Sequence, residues 1–445
     1  MRLKLIAALV AAAPFFAHAT DGYFSHGYGM VAKGMGGASL AFTGSGFGAA
    51  NNPATMAFTG NTFELGLDLF SPWRKAERSG APDFVGLNGS ADSDSNYFAI
   101  PEIAYNRMIN PAMSWGVTIY GNGGMNTDYP GGQLASPGAC GPATGPGTGF
   151  NPAPGPYNLL CGNGSLGVDL SQLIVAPSFA WKFAPNHSIG IAPLFAYQRF
   201  KAEGLQAFAG LSTDPGNVTN RGYDNSTGWG ARIGYYGRLT PQLAIGVSYT
   251  TKMSMGEFDK YRGLFAEAGG FDIPSHYGIG ISFEPNPQTQ IALDYERINY
   301  SDASSVSNAS GLILQCAGGD PNACLGGSNG AGFGWRDIDV FKLGIQYQVD
   351  PRLTLRAGYN YSQNPIRSQD VTFNFLAPGV VQHHITGGAT WTLDPTSFLT
   401  LAAMYAFEND VSGPSLFNAF APGLSMREKI SMHEYSVGVQ YQKRF

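Results

Sequence analysis

Residues 431–445 read Ser431-Met432-His433-Glu434-Tyr435-Ser436-Val437-Gly438-Val439-Gln440-Tyr441-Gln442-Lys443-Arg444-Phe445. The odd positions include Tyr435, Val437, Val439, Tyr441 and Phe445. The even positions are Met432, Glu434, Ser436, Gly438, Gln440, Gln442 and Arg444. Successive side chains of a strand point to opposite faces, so this stretch is a strand with one apolar and one mostly polar face. The same code recurs upstream in Phe63, Leu65, Leu67 and Leu69, and in Phe179, Trp181 and Phe183. It returns in Ile291, Leu293 and Tyr295, in Phe341, Leu343, Ile345 and Tyr347, and in Leu353, Leu355, Tyr359 and Tyr361. Between these lie Gly, Ala, Ser, Thr, Asn, Gln or charged residues.

The breaks decide what such strands build. Short Pro-bearing turns occur at Asn110-Pro111, Pro185-Asn186, Thr240-Pro241, Pro285-Asn286-Pro287, Asp350-Pro351 and Asp394-Pro395. Pro cannot continue a central strand. Longer breaks fall near 76–93, 123–167, 201–226, 256–272, 301–335, 363–380 and 410–430, and short and long alternate throughout. A soluble sandwich would have evenly short turns. Alternation of short and long is the periplasmic and extracellular asymmetry of outer-membrane barrels. The six short and seven long breaks separate fourteen strands. The expected fold is all-β: a 14-stranded antiparallel transmembrane β-barrel spanning residues 61–445.

Composition agrees. Only 13% of the 445 residues are charged, 61 are Gly and 13% are aromatic. The net charge of −5 argues against a nucleic-acid partner, which needs a basic stripe. Residues 1–19 have the layout of an export signal peptide: Arg2 and Lys4, an apolar run from Leu5 to Phe16, then Ala17-His18-Ala19. No run approaches the roughly 20 apolar residues of a membrane-spanning helix.

Residues 20–60 differ from everything after them. They hold ten glycines and two formally charged residues, Asp21 and Lys33, and sustain no alternation. This compact piece ahead of a large β structure reads as a plug, or hatch, inside the barrel. Asn52-Pro53-Ala54, with Gly34-Met35-Gly36-Gly37-Ala38 upstream and an aromatic Phe445 at the end, resembles the FadL/TodX family of outer-membrane long-chain fatty acid and hydrocarbon transporters. The resemblance implies that Asn52, Pro53 and Ala54 belong to a gating hatch on the periplasmic side. It implies a monomer in the bacterial outer membrane, multi-pass, in contact with lipid and lipopolysaccharide. Phe445 resembles the signal read by the barrel-assembly machinery. In the family the third strand carries an inward kink that opens a lateral window. Here Gly121, Gly123 and Gly124 interrupt the alternating Met113–Tyr120 segment, as a bulge or bend or as the start of a long loop.

No enzyme signature is present: no Gly-x-Ser-x-Gly, no His-Glu-x-x-His, no phosphate loop. His383 and His384 are adjacent and point to opposite faces. No metal or cofactor is expected. Cys140, Cys161, Cys316 and Cys324 sit in Gly/Pro/Asn-rich loops and lack the CxxC spacing of a zinc site. In an exported chain they suggest two disulfides. Of three connectivities, loop-closure entropy favours Cys140–Cys161 and Cys316–Cys324.

The remaining signals concern cargo. Energy-coupled barrels have larger plugs and 22 strands, so passive diffusion is expected. A water-filled porin would have an openly polar lumen, yet Phe98, Ile100, Ile174, Leu194, Phe398 and Met404 face inward. The long loops add Leu159, Leu160, Phe265, Phe271, Phe375, Leu376 and Phe417, either packing the loops together or forming a greasy landing groove. By parity Glu64, Asp68, Glu102, Arg232, Lys252, Asp294, Glu296, Lys342 and Arg356 point inward. Their default role is salt bridging; the functional alternative is a carboxylate site built from Arg232, Lys252, Lys342 and Arg356, with Lys342 and Arg356 converging on one head group. The expectation is uptake of a hydrophobic small molecule, a long-chain fatty acid first and a hydrocarbon as the alternative. A surface adhesin or structural barrel with a static plug is the reading of another class.

Overall fold

A computed structural model describes residues 20–134, 140, 155–420 and 423–445. The expected leader and part of the 123–167 connection lie outside the described residues. Sixteen strands form one antiparallel sheet, and two of them, Gly89–Asp92 and Ser254–Met255, are short flaps. The other fourteen are β1 (Thr62–Ser79), β2 (Phe98–Asn110), β3 (Met113–Tyr129), β4 (Leu166–Ala184), β5 (His187–Glu203), β6 (Asp224–Arg238) and β7 (Leu243–Thr250), followed by β8 (His276–Asn286), β9 (Thr289–Ile298), β10 (Ile338–Asp350), β11 (Leu353–Ser362), β12 (His383–Asp394), β13 (Ser397–Pro414) and β14 (Arg427–Arg444). The sheet closes where β1 pairs with β14 from Thr62↔Arg444 to Ser79↔Arg427, so no edge is left along this seam.

The alternation places side chains as the pattern requires. Leu65, Leu67, Leu69, Trp181, Leu293, Phe341 and Leu343 are exposed on the outer wall, where hydrocarbon replaces water. Phe98, Ile100, Ile174, Leu194 and Met404 are buried inside. Every short turn joins a hairpin at one end of the barrel; the opposite end carries the long connections, folded into short helical turns.

Two places depart from a uniform ladder. On β4 and β5, pairing lapses between Val175↔Phe195 and Phe179↔Ile191, where Pro177 and Pro193 face each other without N–H donors. The larger departure is at β3. Gly121 pairs with Leu173 and Gly123 with Gln172, so Asn122 is an extra residue and the strand bulges. The strand then runs on to Tyr129, which overturns the reading of these glycines as the start of a loop. Pairing between β2 and β3 stops at Ile103↔Ile119. Above it β2 has a free edge, and Pro101 stands there, at the kind of sheet position that tolerates proline.

Candidate functional site

Residues 20–60 are almost wholly buried and fold into short helical turns, Met30–Lys33, Gly48–Asn51 and Met56–Thr59 among them. Their hydrogen bonds reach strands on all sides of the barrel, so the segment lies across the lumen. Its backbone N–H groups are taken up by side chains of the wall. Glu102 on β2 accepts from Gly29 at 3.1 Å, Gln440 on β14 accepts from Met30 at 2.7 Å, and Thr386 on β12 accepts from Gly36 at 2.8 Å. Asp294 on β9 accepts from Ser39 and Leu40 at 2.7 and 2.9 Å. Glu64 on β1 accepts from Gly46 at 2.6 Å and from the Ser45 hydroxyl at 2.8 Å. Bonds to a charged group contribute about 1.5–3 kcal/mol each, so several together hold the segment firmly.

The wall is cut to fit. Gly190 on β5, Gly234 on β6, Gly246 on β7, Gly344 on β10, Gly358 on β11, Gly388 on β12 and Gly438 on β14 all face this segment, and a Cβ on any of them would crowd it. The Asn52-Pro53-Ala54 turn rests on Gly190 and Gly234. Asn52 donates to the carbonyls of Leu40 and Tyr235 at 2.7 and 2.9 Å and accepts from the Ala54 N–H at 3.1 Å. Its side chain caps the short turn that Pro53 begins.

Lys33 lies between Asp68 and Glu102, at 2.8 and 2.9 Å, with all three side chains buried. Burial works against its charge, but the two carboxylates outweigh it and hold the ammonium above its usual pKa. Asp21 is buried beside Lys342, and burial pushes its carboxyl up to about 7 against the pull of that lysine.

The first residues of the segment dock on the bulged strand. Ser25 donates to the Asn122 carbonyl and Gly124 donates to that of Tyr23, both at 3.2 Å. The bulge thus satisfies on the hatch some of the backbone groups that β2 leaves unpaired. Tyr23 sits at the centre of an aromatic cluster with Phe24, Phe271, Tyr300 and Trp335, at ring separations of 5.1–6.3 Å. Above it the outer connections form an apolar cavity of about 40 Å³, lined by Leu160, Val168, Phe200, Phe208, Phe265, Phe333, Phe373 and others, with Ser305 the one polar side chain among the described residues of the lining. A benzene-sized guest occupies a cavity of about 150 Å³, so a ligand enters only if these side chains part. Cys140 is joined to Cys161, next to Leu160, and Cys316 to Cys324, with Cα separations of 5.1 and 4.6 Å.

The proposed cations fare differently from one another. Arg232 is buried and donates to the hatch carbonyls of Ala49 and Ala50 and to Thr250. Lys342 bonds Glu296 at 2.6 Å. Arg356 bonds Gln346 and Thr390 at 2.8 and 2.6 Å. Lys342 faces Asn360 whereas Arg356 faces Gln346, so the two stand four residues apart along the strands and do not converge. The expected convergence fails because counting residues from the turn does not give the register, which sets the two at different heights on the same face. Lys252 is not in the lumen: it lies beyond the end of β7, is exposed, and pairs with Asp272 at 2.8 Å. The alternation on which its placement relied stops at Thr250. Arg74, inward on β1, and Glu434, inward on β14, were not singled out, although the even-number parity of Glu64 and Asp68 includes Arg74. Among the described residues no group of three or more His, Cys, Asp or Glu is arranged to hold a metal.

Several solved structures share this architecture. The Pseudomonas putida toluene transporter TodX is 19% identical over 94% of this chain and 99% of its own, with a TM-score of 0.66. A FadL homologue from Pseudomonas aeruginosa is 14% identical over 95% of this chain and 100% of its own, at 0.67. The Ralstonia pickettii toluene transporter TbuX is 18% identical over 94% and 99%, at 0.59. No curated protein matches the sequence. The family model described as outer membrane protein transport protein (OMPP1/FadL/TodX) matches residues 158–445, most of the barrel. The chain therefore belongs to the OMPP1/FadL/TodX family of outer-membrane transport proteins.

Proposed function

We propose that this protein admits small neutral hydrophobic molecules, of the hydrocarbon class, by passive diffusion. The observation that carries this reading is the cavity among the outer connections, whose lining from Leu160 to Phe373 contains no charged side chain. Lys342 is occupied by Glu296 and Arg232 by hatch carbonyls, so neither presents a free cation to a carboxylate head group. Toluene transporters among the similar solved structures support the same class. In this reading residues 20–60 stay seated, because their anchors are many and charge-assisted. The molecule passes Tyr23 and leaves sideways through the gap between β2 and β3 above Ile103↔Ile119. Nothing in it calls for energy coupling.

Long-chain fatty acid uptake is the second reading. It is favoured by the continuity of the apolar core, which runs without interruption from the loop residues Phe208 and Phe373 to Tyr23 and Phe98. Each buried methylene contributes about 0.8 kcal/mol, so the tail alone accounts for most of the binding. A deletion strain complemented with the intact gene, assayed for radiolabelled toluene and for oleate entry, separates the readings. Toluene entry alone supports the first, oleate entry alone the second. Neither leaves the adhesin or structural barrel.

The same reading includes a leader of residues 1–19, removed before Thr20, a monomeric barrel amid lipopolysaccharide, and Phe445 as the handle for barrel assembly. N-terminal sequencing of outer-membrane protein that finds Met1 would end the first of these.

A further inference from the structure

We propose that Arg74 is a latch across the β2–β3 gap and that Glu434 is its second seat, taken when the gap opens; this rests on the lateral route above. The gap has a floor and a lintel. The floor is the Ile103↔Ile119 pair. The lintel is the Asp94 N–H on the Asp128 carbonyl at 2.8 Å and the Asp128 N–H on the Ser93 hydroxyl at 3.0 Å. Between them no β2–β3 ladder bond exists among the described residues. What spans the space is the Arg74 side chain. From β1 its guanidinium donates to the Asn126 carbonyl on β3 and to the Ser95 carbonyl just before β2, and it lies 5.9 Å from the centre of the Phe98 ring.

Arg74 is buried, yet all these acceptors are neutral, and its Nε has no partner among the described residues. Glu434 is fully buried and neither carboxylate oxygen has a hydrogen-bond partner among the described residues. Buried polar groups are ordinarily hydrogen-bonded, so a guanidinium on neutral acceptors beside a carboxyl group that has no such partner is an anomaly. They are neighbours: β1 and β14 pair Arg74 with Met432 and Pro72 with Glu434, which makes Glu434 the diagonal neighbour on the same inner face, at about 7–8 Å between Cα atoms. An arginine side chain covers that distance by rotating about its own bonds.

The two seats exclude each other. On the carbonyls, Arg74 ties β3 to the segment before β2 and the gap is shut. On Glu434 it gains a charged acceptor, frees both carbonyls and leaves the gap without a crossbar. The Asn126 acceptor of the closed seat lies two residues beyond Gly124, in the bulged stretch of β3 that Tyr23 and Ser25 of the hatch pin. A molecule wedged past Tyr23 disturbs that pinning and so favours the second seat.

Hydrogen exchange of the purified full-length protein in lipid nanodiscs tests this without relying on any substrate. Arg74→Met is expected to raise exchange in residues 95–102 and 120–129 on the order of tenfold or more, the worth of one bond from a charged donor. Residues 29–40 keep their protection. Glu434→Gln, which keeps shape but removes the charged acceptor, is expected to slow exchange in the same two segments a few-fold. Unchanged exchange in Arg74→Met overturns the latch; unchanged exchange in Glu434→Gln overturns the second seat. If Arg74→Met does not assemble, as judged by heat-modifiable gel migration, Arg74→Lys replaces it. One ammonium cannot span both carbonyls, so an intermediate rise is expected, and none overturns the latch. Toluene uptake, measured separately, is expected to rise in Arg74→Met and fall in Glu434→Gln. If the parent takes up no toluene the transport reading fails while the exchange result stands.

Discussion

Replacing Lys33 by methionine removes the only lysine or arginine between residues 20 and 60 and keeps the length of its stem. In the intact protein its ammonium sits 2.8 Å from Asp68 and 2.9 Å from Glu102, and none of the three side chains is more than 2% exposed. The substitution strands two carboxylates in the lumen. Glu102 keeps one donor, the Gly29 N–H at 3.1 Å, but both carboxylates lose the cation they share. Removing one partner of a buried pair costs about 3–5 kcal/mol. That is about a hundred- to several-thousand-fold in the equilibrium between seated and loosened hatch. The cost falls on the hatch more than on the wall, because Asp68 keeps its ladder to both β14 and β2 and Glu102 keeps its ladder to β1. Amide hydrogen exchange over residues 29–40 reads this equilibrium directly. Asp68→Asn in the same chain removes one stranded charge and is expected to recover part of the protection, a coupling that a double-mutant cycle isolates. A Lys33→Met protein whose exchange over 29–40 rises less than about tenfold would refute the reasoning, since the hatch would then be held by its backbone anchors alone.

Asn52→Ala, which loses three hydrogen bonds, is expected to cost about 0.5–2 kcal/mol of hatch docking, and Gly234→Ala to dislodge the same turn by crowding Asn52; the double mutant should fall short of the sum when exchange over 48–58 is compared. Lys342→Met and Arg356→Met are expected to be additive in thermal stability, because they share no partner and stand four residues apart, and a coupling above about 0.5 kcal/mol would contradict the register. Mass spectrometry of the unreduced protein is expected to find no free thiol, and reduction to lower the melting temperature through a loss of about 2–4 kcal/mol per bridge. Asp21, raised to about 7 by burial beside Lys342, Glu296 and Asn360, favours the seated N-terminal segment while protonated. Protection of residues 20–25 should therefore be full below the free-carboxylate range and decline as pH rises through about 7, and Asp21→Asn should abolish the pH dependence.

Much of this architecture was legible before any coordinates. Two-residue alternation assigns each side chain to the lipid or the lumen wherever a strand is regular, and Pro-bearing turns mark where strands end. Phe341 and Lys342 could be told apart in this way, as could Leu67 and Asp68. Legibility failed at Lys252 because parity has no meaning once a strand has ended at Thr250. It failed at Gly121–Gly124 because a bulge and a loop onset share the same residue types, and only the continued pairing of Met125–Tyr129 with β4 tells them apart.

The sequence by itself determined the strand count, the inward and outward faces, the plug-like character of residues 20–60 and the local preference of the cysteine pairs. Each of these follows from neighbours in the chain: a period of two, a turn residue, a run without alternation, a short loop. Only the tertiary structure decided which inward groups meet. Glu64, Asp294 and Glu102 hold the hatch by its backbone, Gly190 and Gly234 make room for Asn52 and Pro53, Lys342 and Arg356 never converge, and Arg74 bridges a gap beside Glu434, whose carboxyl oxygens have no hydrogen-bond partner among the described residues. Those facts depend on the height of each residue in a closed barrel, which is set by the register between strands far apart in sequence and is therefore fixed only when β14 comes round to pair with β1.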